Sequence, residues 1–271
     1  MKEKLRYYLG VYGYKYRLEI RAELAGLSRT FCWLLMIPLS YLSAFYVLQV
    51  IVKESGGLNG WGSGEAAFLF GLSMFSHGLQ DLFFIRTRVL DELIREGEFD
   101  RMLLTPLGIF TQFCFRGLNL CGLYDLVPGI LVFGWGCMKT GFSWNAGNIL
   151  AVAAVIAGGT MISLSLYTFT GCLAFRFAES AALEDLNIRL IGKMTSYPLT
   201  IYPKALQMLF TFLIPLGFIS FYPACGFLGK ESAMDRMLPI PLETPALSLL
   251  AGLAGLAAAR ALLLFCIRRR L

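Results

Sequence analysis

The sequence predicts an all-α integral membrane protein in which six helices cross the bilayer and both termini lie in the cytoplasm. Hydrophobic residues make up 57% of the chain and charged residues only 15%, whereas about a quarter of the residues of a soluble domain are charged. Apolar runs recur at the length of roughly 20 residues that a helix needs to cross a hydrocarbon core. Most of the 24 Lys and Arg residues fall on the two termini and on alternate connections between these runs, which places the termini and those connections in the cytoplasm.

Residues 1–27 precede the first apolar run and have the pattern of an amphipathic interfacial helix. Tyr7, Val11, Tyr14 and Leu18 recur at steps of three and four, whereas Lys and Arg occupy the other faces. Tyrosine and basic side chains favour the boundary between membrane and water. A solvated helix or tail is the alternative interpretation.

Six apolar runs follow, and we interpret each as a membrane span. Their approximate bounds are residues 30–52, 65–85, 107–135, 148–175, 199–222 and 246–267. The third run is longer than a span needs, which predicts a tilt or a kink near Pro128–Gly129. The fourth is rich in Ala, Gly and Ser, which favours close helix packing. The fifth is punctuated by prolines.

The connection at residues 224–245, between the fifth and sixth runs, is too long for a tight turn. It mixes glycine, proline and charged residues. We expect short half-helices here that dip back towards the membrane from the outer side. Residues 1–271 are therefore interpreted as one transmembrane domain.

The charged connection at residues 86–106 differs from a simple loop. The pairs Arg88–Glu92 and Asp91–Arg95 have the i,i+4 spacing that supports a helix, and apolar residues fall on the other side. Gly97 interrupts the pattern as a residue after a helix C-terminus does, and Thr105–Pro106 is typical of a helix start. We therefore predict a short surface helix, a glycine break and a second short helix. A solvated loop is the alternative, but a loop would not need two apolar faces.

The sequence contains no catalytic or cofactor motif. Its single histidine, His77, excludes a zinc site built from two histidines of one chain. No GxSxG or GxxxxGK[ST] motif occurs, so the sequence offers neither a nucleophile elbow nor a P-loop. The net charge of +6 comes from basic residues at the ends of apolar runs, which is a topology signal. We therefore expect no cofactor in this chain and no nucleic-acid partner.

The seven cysteines form no CxxC pair, and most lie inside apolar runs. This placement predicts small buried hydrophobic side chains. A disulfide between Cys137 and Cys225 on the outer side is the alternative.

Four of the ionisable residues inside the predicted spans are candidates for a functional or packing role. His77 and Asp81 are spaced i,i+4 near the cytoplasmic end of the second span, where they form either a packed polar pair or a proton relay. Asp125 in the third span either lines a translocation path or pairs across a helix interface. Arg260 in the sixth span lies close enough to the cytoplasmic headgroups for its side chain to reach them.

The charged connection also carries a motif. Residues 94–107 read IREGEFDRMLLTPL, which resembles the I-R-x-G-E-[FL]-D-R-[LM]-L-L-x-P-L signature of one subfamily of type-2, exporter-like ABC transporter permeases. Tyr197-Pro198, Pro203, Pro215 and Phe221-Tyr222-Pro223 are similar to the fifth span of that subfamily. The resemblance covers essentially the whole chain.

The resemblance implies a permease subunit without catalytic residues of its own. In that family the connection between the second and third spans is a coupling helix, which seats in a groove of a separate ATPase subunit that binds ATP and Mg²⁺. Two permeases, often non-identical, and two ATPases form the transporter in the bacterial cytoplasmic membrane. The segment between the fifth and sixth spans is a re-entrant hairpin. Substrates across the family include drugs, peptides, lipids and glycans.

On this basis we expect the charged connection to contact an ATPase. The predicted coupling residues are Leu93, Glu96, Gly97, Glu98, Phe99, Asp100 and Arg101. Two other functions stay open from the sequence alone. One is an ion- or proton-coupled secondary carrier that uses His77, Asp81 and Asp125. The other is a non-transporting membrane scaffold or sensor subunit.

Overall fold

The structure is a computed structural model that describes residues 10, 13–14, 16–18, 20–21, 27–105, 108–115, 117, 119–175, 181–230 and 244–270. These residues are all-helical and contain no strand, apart from one isolated β-bridge between Leu58 and Trp61. In chain order the helices are α1 (Leu27–Glu54), α2 (Ser63–Phe84), α3 (Leu90–Arg95), α4 (Glu98–Leu103), α5 (Ile109–Cys114), α6 (Cys121–Thr140), α7 (Ala146–Cys172), α8 (Ala181–Arg189), α9 (Lys204–Met208), α10 (Phe221–Phe227) and α11 (Thr244–Arg270). Short 3-10 or π turns lie at Ile85–Val89, Leu173–Phe175, Leu190–Met194, Leu199–Ile201, Leu209–Leu213 and Leu216–Phe218.

Four helical segments among the described residues are long and apolar enough to cross a membrane. They are Phe31–Glu54, Ser63–Arg95, Ala146–Phe175 and Thr244–Arg269. They correspond to the first, second, fourth and sixth spans expected from the sequence. The prediction of an all-helical membrane protein is therefore confirmed at this level, while a total of six spans stays a prediction.

The predicted fifth span is a bent pair of helical segments. Lys204–Leu213 and Leu216–Phe227 meet at an angle of 77°, and together they pass as a further candidate span. The bend falls at Pro215, which cannot donate a backbone hydrogen bond, and Ile214 before it is extended. A 2.5 Å hydrogen bond between the Thr211 and Tyr222 hydroxyls ties the two halves together.

The predicted third span differs from its expected form. It is divided into α5 and α6, with the break between Cys114 and Cys121, whereas the sequence predicted a tilt or kink near Pro128–Gly129. Helix α6 continues through Pro128, and it packs against α2 and α1. The break is held in place by a 3.0 Å hydrogen bond from the Asn119 amide to the Leu82 carbonyl of α2.

Helices α2 and α6 pack along each other through glycines spaced seven residues apart. The glycines are Gly64, Gly71 and Gly78 on α2, and Gly122, Gly129 and Gly136 on α6. A β-carbon on Gly71 would lie 2.4 Å from the Phe133 amide nitrogen, and one on Gly136 would lie 2.5 Å from that of Phe68. Real side chains do not tolerate such distances, so the two backbones touch directly. Small residues allow this approach in membrane helices.

Two expected features fall largely outside the described residues. Of the interfacial helix at residues 1–27, the described residues from Gly10 to Arg21 are helical, and the Tyr14 side chain is exposed. Of the outer connection at residues 224–245, the structure describes the end of α10, a short turn to Lys230 and the first residues of α11. Lys230 pairs with Glu65 at 2.8 Å.

The buried side chains of the described residues form three hydrophobic clusters. The largest contains Phe68, Phe133 and Tyr222, and a second, at the charged connection, contains Leu90 and Phe99. The third lies between α1, α2 and α6. The described cysteines with a stated environment are unpaired, and those at positions 114, 137, 172 and 225 are buried. The expectation of small buried hydrophobic side chains is confirmed for these four.

Candidate functional site

The charged connection folds as two short helices joined at a glycine. The 3-10 turn Ile85–Val89 leads from α2 into α3, and α4 follows after Gly97. Gly97 has φ +71°, a left-handed conformation that glycine adopts without steric cost. The amides of Glu96 and Gly97 still donate to carbonyls of α3, as expected at a helix C-terminus. The predicted glycine break between two short helices is confirmed.

The inner face of this helix pair is apolar and buried. Leu93 and Phe99 are 4% and 0% exposed, and they pack in one cluster with Leu263 and Ile267 of α11. The Phe99 ring lies 5.2 Å from that of Phe175. Leu93 and Phe99 were both expected on the coupling surface. Their burial means that they would hold this surface in position rather than form it.

The outer face of the pair is polar and borders a cleft of about 600 Å³. Its ionisable lining residues are Arg86, Glu92, Glu96, Glu98 and Arg101. Leu18 from the N-terminal segment also lines it. Glu96, Asp100 and Arg101 are exposed. Charges of both signs therefore stand at the surface of one short helical element, where a complementary protein surface could pair with them.

Hydrogen bonds tie the start of the helix pair to α2 and its end to α5. At its start, the Thr87 hydroxyl donates to the Phe84 carbonyl of α2 at 2.7 Å. At its end, the Thr105 hydroxyl donates to the Met102 carbonyl and to the Gln112 side chain, at 2.9 and 2.7 Å. The Gln112 amide donates back to the Met102 carbonyl at 3.2 Å. Thr105 was expected to begin the next helix. Its hydroxyl instead links the end of α4 to α5. Pro106 lies outside the described residues.

A second polar cluster lies buried where the helix pair leaves α2, and Arg88 is its cation. Arg88 forms an ion pair with Asp81 and donates to the Gln80 side chain at 2.9 Å. Its guanidinium carbon lies 4.7 Å from the Tyr167 ring centroid of α7. The spacing between Arg88 and Glu92 had suggested a surface position for Arg88. The arginine turns inward instead and pairs with Asp81, seven residues earlier in the chain.

The cluster also contains the ionisable residues that the sequence analysis selected within the spans. Asp125 of α6 is 4% exposed, and it lies close enough to Asp81 of α2 and Tyr41 of α1 to interact with them electrostatically. The His77 Nε2 atom lies 3.9 Å from the second Asp81 oxygen. The structure therefore brings His77, Asp81 and Asp125 together.

Four further members of this cluster were not selected from the sequence. They are Tyr41, Gln80, Arg88 and Tyr167. The i,i+7 spacing of Asp81 and Arg88 was a readable signal, whereas nothing local in the sequence relates Tyr41 and Tyr167 to Asp125. Arg260 is exposed on α11 and lies apart from these contacts. Among the described residues, no group of three or more His, Cys, Asp or Glu side chains could hold a metal ion.

Comparison with known proteins gives one match to a family model. The model is described as "ABC-2 family transporter protein", and it matches residues 38–269. The match begins inside α1 and ends within α11, so it includes the helix pair and the buried charge cluster. Neither the curated proteins nor the solved structures give a match.

Proposed function

Because the chain belongs to the ABC-2 transporter family, whose members are membrane-spanning permease components of ABC transporters and generally non-catalytic, we propose that it forms half of an export pathway. Separate ATPase subunits, which bind ATP and Mg²⁺, drive the export across the bacterial cytoplasmic membrane. A second permease, identical or related, completes the pathway. The proposal includes the subfamily defined by the motif at residues 94–107.

The single observation that carries this proposal is the form of the helix pair α3–α4. A short element with a buried apolar inner face and a charged outer face is fixed to the body of the protein, yet it presents ionisable groups to a partner. The proposed ATPase-contacting groups are Glu96, Glu98, Asp100 and Arg101. Leu93 and Phe99 hold the pair against α11, and Gly97 sets the angle between its helices.

The anchoring of the pair suggests how ATPase movement would reach the spans. Thr87 ties its start to α2, and the contacts of Thr105 and Gln112 tie its end to α5. A displacement of the pair would therefore be passed to helices on both sides of it. A ligand or nucleotide shifts such an equilibrium only if it contacts the two conformations differently, and the charged cleft offers groups that could make such contacts.

The test is recovery of the ATPase with the tagged permease. Glu96→Lys combined with Arg101→Glu reverses two charges of the outer face without touching the buried face. We expect the ATPase recovered per permease to fall at least tenfold, and the loss to be larger at low salt, where surface charges are less screened. Glu54→Lys, which reverses an exposed charge at the C-terminal end of α1, is the control. Equal recovery from the double variant and from the wild type would contradict the proposal.

A second candidate function is favoured by the buried cluster. An ion- or proton-coupled carrier would need ionisable groups inside the membrane region, and His77, Asp81 and Asp125 are such groups. Transport that follows the proton gradient and persists after the ATPase is inactivated would favour the carrier. Transport that stops with the ATPase favours the permease.

A further inference from the structure

An apolar groove of about 430 Å³ lies between α2, α5, α7 and α11, and neither function above uses it. Phe83 and Phe84 line it from α2, Phe115 from α5, Met161 from α7 and Leu256 from α11. Phe83 and Phe115 are 36% and 39% exposed, so the groove opens at the protein surface. Its volume falls within the range of about 300–1,000 Å³ that is usual for ligand pockets.

The groove offers almost no polar group to an occupant. Two of its lining residues carry a hydroxyl, Thr111 and Thr160. The Thr160 hydroxyl already donates to the carbonyl oxygens of Ile156 and Ser76, at 2.8 and 3.2 Å. The lining from α2, α7 and α11 belongs to segments that are long and apolar enough to cross a membrane. At that depth the abundant apolar molecules are lipids, and an acyl chain matches this lining.

Arg260 is a cation at the edge of the groove. It follows Leu256 by four residues, so it lies one turn closer to the C-terminal end of α11 and on the same side of that helix. It is exposed inside the candidate span Thr244–Arg269. None of the described acidic residues forms an ion pair with it. A charge within a span is costly unless it is paired or reaches the headgroups, so this position favours an anion.

The groove and Arg260 have the same orientation as a lipid of one leaflet. Beyond Arg260, Leu263 and Ile267 pack in one cluster with Leu93 of the helix pair. The C-terminal end of α11 therefore lies on the side of the membrane where the helix pair lies. Arginine side chains inside a span extend towards the nearer headgroups, and a guanidinium binds a phosphate group through two parallel hydrogen bonds. Basic pockets between membrane helices bind anionic headgroups in this way.

We propose that the groove binds an acyl chain of an anionic phospholipid from the leaflet on the side of the helix pair, and that Arg260 pairs with the headgroup of that lipid. The acyl chain fills the space between α5 and α11, and the headgroup supplies the anion that the protein does not provide. Because α5 is bonded to the end of α4 through Gln112, the lipid lies next to the helix pair. This inference does not depend on an ATPase, on the direction of transport or on the proposed export function.

The test is photolabelling of the purified full-length chain in phosphatidylcholine vesicles. The probe is a trace of phosphatidylglycerol with a photoreactive diazirine in one acyl chain, and the matched probe is phosphatidylcholine with the same chain. Labelled peptides are identified by mass spectrometry. We expect phosphatidylglycerol to label the groove segments of α5, α7 and α11 about fivefold more than phosphatidylcholine does, which is the preference that one basic residue gives for an anionic lipid.

Variants of Arg260 test whether this preference comes from the proposed site. Arg260→Gln should reduce labelling by phosphatidylglycerol to the level of phosphatidylcholine, whereas Arg260→Lys keeps the charge and should keep the preference. Arg269→Gln is the matched control, because Arg269 is exposed on the same helix but lies nine residues later and on its opposite side. Equal labelling by the two probes in the wild type overturns the proposal, as does an equal loss in the Arg260→Gln and Arg269→Gln variants.

A second pair of variants tests the groove itself. Ala157→Phe places a ring in the groove wall and should reduce labelling by both probes at the groove segments. Ala153→Phe, one turn earlier on α7 and exposed, is the control and should leave the labelling unchanged. Labelling of these segments by neither probe, as expected if a second protein chain covers the groove, overturns the proposal. The Arg260 variants change an exposed side chain, so they decide the outcome even if Ala157→Phe does not fold.

Discussion

Gly122 of α6 lies against the backbone of Leu82 in α2 so closely that a β-carbon on the glycine would come within 2.3 Å of the Leu82 amide nitrogen. The obstacle is backbone, which cannot rotate away as a side chain can. This contact sits one turn from the Asp81–Asp125 pair and next to the start of the charged helix pair. The glycine therefore controls the spacing of the helices at the site itself.

Substitution at Gly122 should separate α2 from α6. Gly122→Ala forces a backbone shift that we expect to cost about 1–3 kcal/mol, and Gly122→Val should cost more. Thermal unfolding of the purified protein measures the loss. Gly134→Ala in the same helix is the control, because no atom lies within 4 Å of its β-carbon position. It should be neutral or slightly stabilising, since alanine favours helix. Equal effects at positions 122 and 134 would show that the close approach is unimportant.

The conformation of Gly97 should be essential to coupling. Proline fixes φ near −65° and cannot adopt the value of +71° found here, so Gly97→Pro should abolish substrate-stimulated ATPase activity in the assembled complex. Membrane insertion, measured as yield in the membrane fraction, should stay unchanged. Gly97→Asn is the matched control, because asparagine tolerates the left-handed region, and it should keep most of the activity. Normal coupling in the proline variant would contradict the proposal that the helix pair transmits ATPase movement to the spans.

Removing the cation of the buried cluster should destabilise the protein strongly. Arg88→Gln leaves the Asp81 charge buried without its partner, at a cost of about 3–5 kcal/mol. The double variant Asp81→Asn, Arg88→Gln removes both charges and should recover part of that loss. Arg86→Gln, two residues away on the exposed side, should change Tm little. The coupling between positions 81 and 88 is read from the double-mutant cycle, and a coupling energy near zero would mean that the ion pair is not formed.

The inner face of the helix pair should matter for stability and the outer face should not. Phe99→Ala removes a fully buried ring from the cluster at the charged connection and should cost about 3–5 kcal/mol. Leu104→Ala is the control, because that side chain is 87% exposed. Amide hydrogen exchange should show faster exchange in α3 and α4 for the Phe99 variant alone. Unchanged exchange there would indicate that the pair does not depend on α11.

Hydropathy and residue spacing predicted the long helices and the glycine break, because both depend mainly on residues that are close in sequence. Four apolar runs form the long helices. In lipid an unpaired backbone N–H or C=O group is costly, and a helix pairs these groups within the segment itself. Gly97 was identifiable because the helix pattern stops there. The split of the third span was not predicted, since hydropathy averages over the break at residues 115–120, which is held by a tertiary hydrogen bond from Asn119 to Leu82.

The composition of the buried cluster was only partly readable for the same reason. His77 and Asp81 share a helical face, and Asp125 was conspicuous as a charge in an apolar run. Tyr41 joins them through packing between α1 and α6, which no local spacing encodes. The sequence analysis paired Arg88 with Glu92, which lies four residues later, whereas the structure pairs it with Asp81. The choice between these two carboxylates depends on burial, which the sequence does not display.

The seven-residue spacing of the glycines on α2 and α6 has a mechanical consequence. A repeat of seven falls short of two full turns of a straight helix, so keeping the glycines at the contact requires the two helices to coil around each other in a left-handed sense. Coiled helices in backbone contact resist being pulled apart at one end alone. A force applied through the helix pair, whose ends connect to α2 and through α5 to α6, should therefore move α2 and α6 together as one rigid unit.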